Sequence, residues 1–143
     1  MSKPLTLSLM VAMIMNGVVV PSLADATDPR VSLGLTDAER IELLAEMRQM
    51  LASVQGIVAG IGTEDRAAIA AAAGLSGNRM ARATPESVRA KLPQSFKDIG
   101  GPTHLLFEEI AIRAETDDMA DLATLTSQTL MQCLACHAQF RAD

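Results

Sequence analysis

The sequence predicts an all-α fold, on three observations. The 143-residue chain is rich in Ala, Leu, Met, Glu and Arg, all good helix formers, whereas Trp and Tyr are absent and only Phe96, Phe107 and Phe140 are aromatic. Apolar residues recur at spacings of three and four rather than two. Capping residues stand before the periodic runs. A chain of this length makes one compact domain, and the expected architecture is an antiparallel four-helix bundle with mostly short connections.

The first 24 residues stand apart from that pattern. Lys3 is the sole charge before Asp25, and Leu5 to Val20 is almost wholly apolar. Pro21 and the small-residue pattern Ser22-Leu23-Ala24 follow, with Ala24-Asp25-Ala26 as a second cleavage option. Residues 1–24 therefore read as a secretory signal peptide, which places the mature chain in the periplasm. The alternative is an uncleaved anchor, because the run approaches the roughly 18 to 20 residues that span a bilayer. No other segment is apolar enough for a membrane span in the mature chain. Cleavage removes one lysine from 12 basic and 17 acidic residues, leaving a net charge of −6. Such acidity disfavours nucleic acid and suits steering toward a basic protein partner.

Residues 25–35 carry Pro29 and Gly34 without a clear period and read as a flexible lead-in to a domain spanning 36–143. The first helix opens at Thr36-Asp37-Ala38-Glu39, a capping box in which each end residue bonds the other's backbone N–H. Ile41, Leu44, Met47, Leu51, Val54 and Val58 form its apolar stripe, widened by Leu43, Met50, Ile57 and Ile61, with an end near Gly60 or Gly62. An Ala-rich second helix is expected from about Glu64 to Leu75, where Gly74 and Gly77 stop it. Residues 76–101 read as the longest irregular connection, with a helical turn or two after Thr84-Pro85-Glu86 and a stop at Leu92-Pro93.

The third helix is expected from around Pro102, with Leu105, Leu106, Ile110 and Ala114 inward and Glu108, Glu109, Arg113 and Glu115 toward water. Asp117 and Asp118 break the chain and cap a fourth helix that has Asp121 in its first turn. That helix carries Leu122, Leu125, Thr129, Cys133, Cys136 and His137 along one side, with Leu130, Leu134 and Phe140 beside them.

Cys133-Leu134-Ala135-Cys136-His137 concentrates the chemistry. Positions i, i+3 and i+4 share a helix face, so both thiols and the imidazole point to one place. Two thiols at this spacing can bond the vinyl groups of a haem while His137 reaches its iron as a tethered axial ligand. The expected cofactor is one covalently attached haem c. A redox Cys-x-x-Cys normally accompanies a βαβ pattern, and a disulfide between i and i+3 of one helix is strained. A zinc set of Cys133, Cys136, His137 and His104 is formally available, but adjacent Cys136 and His137 suit a tetrahedron poorly.

This haem motif on the last helix of a bundle, followed by Ala138-Gln139-Phe140-Arg141, resembles the class II c-type cytochromes, cytochrome c′ and its low-spin methionine-ligated relatives. The resemblance covers Thr36 to Arg141. It implies a sixth iron position facing a residue about three turns into the first helix, where a Met gives a low-spin electron carrier and a non-ligating apolar residue leaves iron five-coordinate. Met47 occupies the matching place. An antiparallel bundle sets the start of the first helix beside the end of the fourth, which also brings Met47 to the haem end. Met50, Met80, His104 or no protein ligand remain alternatives. The chain departs from the family in having Leu43 where an Arg is frequent, and only Phe96 where an aromatic-rich segment precedes the third helix. The resemblance also implies that Arg141 reaches a haem propionate; a solvated cation suiting the helix dipole is the alternative.

The expected function is one-electron transfer with a redox partner protein through iron held by His137 and Met47. The alternative is a five-coordinate or weakly ligated haem protein that binds NO or CO. No enzymatic activity is expected, because peroxide activation needs a distal acid-base group and His104 is the one candidate. Apolar residues left over on the first two helices would serve either a homodimer or the core.

Overall fold

The computed structural model describes residues 28–143, so the expected signal peptide over 1–24 lies outside the described residues. Six helices dominate the described residues: α1 (Asp37–Gly62), α2 (Arg66–Gly74), α3 (Asn78–Ala83), α4 (Glu86–Lys91), α5 (Gln94–Arg113) and α6 (Met119–Gln139). α1 packs on α2, α2 on α5, α5 on α6 and α6 on α1. No helix among the described residues is long and apolar enough to cross a membrane.

The helix starts follow their caps. Thr36 and Glu39 form the expected capping box at α1. Asp65 accepts from the Ala68 amide at α2, and Asp118 accepts from the Asp121 amide at α6.

The buried line of α1 is Leu43, Met50, Ser53, Ile57 and Gly60, not the stripe expected at its centre. Ile41, Leu51 and Val58 are exposed. Small residues decide the difference. A Cβ on Gly56 would stand 2.7 Å from the Ala72 Cβ, and one on Gly60 would stand 2.7 Å from Ile69 Cγ1. These glycines let α2 approach closely, and that approach selects the face.

The helix expected third, α5, also differs from expectation. It begins at Gln94, and Pro102 lies inside it. Residues 76–101 are correspondingly mostly helical, holding α3, α4 and the first turns of α5. Packing outweighs the local Gly100-Gly101-Pro102 signal, because Phe96 is buried edge-on against Phe140 with ring centroids 5.3 Å apart. The outer and inner faces of α5 are also less clean than expected: Leu105 is exposed, and Glu108 accepts from the Asn78 amide.

The described part of the expected lead-in is tied to the residues after α6. β1 (Val31–Ser32) pairs in parallel with β2 (Phe140–Arg141), and the Leu33 and Leu35 amides donate to Arg141 and Asp143 carbonyls. Leu33 and Leu35 are thereby buried with Leu43, Val88, Leu92, Phe96 and Phe140. A separate core gathers Met50, Ile57, Ile69, Phe107, Ile110 and Leu122. Met47 packs against both.

Candidate functional site

Cys133 and Cys136 sit one turn apart near the end of α6, both half-buried and both free thiols. Their exposure is intermediate because the side of α6 that buries Leu125 and Thr129 runs out from the core here into a cleft. Burial pushes both thiols above their ordinary pKa, and the charge of Cys133 adds to the effect at Cys136. The Cys133 thiol donates to the Thr129 carbonyl at 3.5 Å. His137 is exposed at the same edge, and Arg30 donates to its carbonyl oxygen at 3.4 Å.

The cleft measures about 730 Å³. That is a size common to pockets that bury a cofactor-sized molecule. α1 supplies Leu43, Leu44, Met47, Met50, Leu51 and Val54 to its wall, and Phe96 and His104 come from α5. Cys133, Cys136 and His137 complete the lining from α6. The structure thus brings Met47, Met50 and His104 into one cleft with the cysteine motif. Met80 lies outside that lining, packed against the core of α1, α2 and α5.

Arg48, Arg89 and Lys97 stand on the cleft wall as cations, and Glu46 and Glu86 as acids. Glu86 pairs with Arg89. Burial raises the Glu46 carboxyl above its ordinary pKa, against the opposing effects of Thr84 and His104. None of these charges was singled out in the sequence. Arg89 and Lys97 belong to the stretch read as the longest irregular connection, and Glu46 and Arg48 flank Met47 without lying on the apolar stripe.

Arg141 stands beside the motif, in an adjoining cleft. It lines a smaller cleft of about 310 Å³ with Arg30, His137 and Phe140, its Nε donates to the Arg30 carbonyl at 3.2 Å, and its guanidinium pairs with Asp143. Met47 and Cys136 line both clefts, so the two adjoin at the motif.

No group of three or more His, Cys, Asp or Glu is gathered as a metal cage among the described residues. The donor set fits a haem: two thiols one turn apart, an imidazole on the next residue, apolar walls for a flat ring and cations able to meet carboxylates. Comparison with family models, curated proteins and solved structures finds no match.

Proposed function

We propose that the chain is an exported c-type cytochrome, an antiparallel four-helix bundle of α1, α2, α5 and α6 that transfers single electrons to and from a protein partner. The observation that carries this reading is that Cys133, Cys136 and His137 line the same apolar cleft as Met47 of α1. Two cysteines alone would suit many roles. Two cysteines and a histidine in one helical turn, facing a cleft of cofactor size, suit covalent haem attachment. When bound, the haem supplies reversible one-electron exchange at its iron.

The chain's own residues supply the rest. Cys133 and Cys136 would hold the haem on α6, and His137 of α6 and Met47 of α1 would offer its iron an imidazole and a thioether. Leu43, Met50 and Val54 exclude water from the ring. No residue needs to act as acid, base or nucleophile. Arg48 and Lys97 are suited to the propionates, and the acidic mature chain suits a basic redox partner. The apolar stretch over Leu5 to Val20 supports export and a periplasmic location.

Expression with a cytochrome c maturation system tests the reading. The purified protein should carry haem that survives denaturation, and Cys133→Ser/Cys136→Ser should abolish it. A low-spin ferric spectrum with a sulfur-to-iron charge-transfer band, lost in Met47→Ala, is expected. Wild-type protein that is high-spin and binds CO readily would replace electron transfer by gas binding. Protein without covalent haem would remove the reading altogether.

A further inference from the structure

His104 is the buried imidazole in the cleft wall, 8% exposed, on α5. Its Nδ1 stands 2.8 Å from the Ser76 carbonyl oxygen. A carbonyl only accepts, so Nδ1 carries the proton and the neutral ring has its lone pair on Nε2. Ser76 is itself fully buried, and its hydroxyl shares a 2.8 Å hydrogen bond with the buried Ser53 hydroxyl of α1. A polar chain thus runs from α1 through the connection after α2 to α5 and fixes the ring. Networks of this kind are costly in a core unless every member is satisfied.

Nε2 is the member without a protein hydrogen-bond partner. No fully occluded side-chain nitrogen or oxygen among the described residues lacks one, so Nε2 keeps an opening to its surroundings. His104 itself is among the residues that line the main cleft.

We propose that His104 Nε2 is a reserve iron ligand, which takes the position opposite His137 when Met47 vacates it. This rests on the haem reading above. An imidazole whose Nδ1–H is held by a carbonyl while Nε2 is free has the orientation and tautomer of metal-bound histidines. Binding through Nε2 uses the neutral ring, in which that nitrogen bears no proton; a cationic ring would release one on binding. The iron–sulfur bond to Met47 breaks as the iron–nitrogen bond forms, and the oxidation state of the iron is unchanged. Met47 is the resident ligand because it also lines the smaller cleft beside His137, a position His104 does not share. Exchange of thioether for imidazole lowers the reduction potential.

The test uses haem-loaded protein carrying Met47→Ala, alone and combined with His104→Gln, which keeps an N–H donor for Ser76 and removes the imidazole. Low-temperature EPR and near-infrared magnetic circular dichroism of the ferric forms report the ligands. Met47→Ala should be low-spin with a bis-imidazole signature and a lower potential than wild type, and the double variant should be high-spin. A Met47→Ala protein that is high-spin and indistinguishable from the double variant would overturn the inference while leaving covalent haem intact. A wild type already showing the bis-imidazole signature, unchanged by Met47→Ala, would overturn the reserve role, because His104 would then be the resident ligand. Absence of covalent haem would overturn both readings.

Discussion

Glu39 joins a helix cap to a distant helix. Its carboxylate accepts from the Thr36 amide at 2.8 Å and from Lys91 at 2.6 Å. The Lys91 hydrogen bond is the larger cause, and the Thr36 bonds the lesser, that hold this carboxyl at about 2 against an ordinary 4.5. A carboxyl with a depressed folded-state pKa stabilises the fold above its unfolded value, and the contribution is lost as pH falls through the folded one. The haem-free chain should therefore lose stability between pH about 4.5 and about 2, in part through this group. In Glu39→Gln the acid limb of the urea midpoint against pH should flatten over that window. An unchanged limb would mean that the contact does not persist in solution.

At the scale of elements, the contact of α1 with α2 is set by what is missing at Gly56 and Gly60. Gly56→Ala places a methyl carbon against the Ala72 Cβ, with backbone rather than a flexible side-chain tip behind it. Overpacking of this kind costs about 1 to 3 kcal/mol. Denaturant titration should show that loss, whereas Gly62→Ala in the same helix, which meets nothing within 4 Å, should leave the midpoint nearly unchanged. The same contact explains why the sequence was only half legible here. Thr36, Glu39 and Asp118 announce helix starts because a cap acts within four residues. The face of α1 cannot be read that way, since large apolar residues surround much of it and two glycines 56 and 60 choose the side that meets α2. The start of α5 was hidden for a related reason: Gly100-Gly101-Pro102 is a local stop signal, but Phe96 is held by Phe140, 44 residues away by their numbering.

At the scale of the whole molecule, two cores flank one cleft and are joined through Met47. That Cys133, Cys136 and His137 reach one cleft was legible because their i, i+3, i+4 spacing is local. Met47, Met50 and His104 followed as alternatives from helix order, whereas Arg48, Arg89 and Lys97 needed the fold. A cofactor seated between the cores should couple them, since a bound group stabilises the state that holds it. Hydrogen exchange of the haem-free protein should show α4 and the start of α5 opening more readily than α2 and the middle of α5. Covalent haem loading should narrow that gap. Equal protection in the haem-free protein would mean that the two cores already unfold as one. The parallel pairing of β1 with β2 gives the molecule an order of assembly in time as well. Arg141 donates to Arg30, 111 residues earlier in the chain. Synthesis runs in the opposite sense, so the first of these partners waits while nearly the whole domain is made. Their union and that of Ser32 with Asp143, equally far apart, are the longest-range hydrogen bonds among the described residues, and contacts of such separation form late in folding.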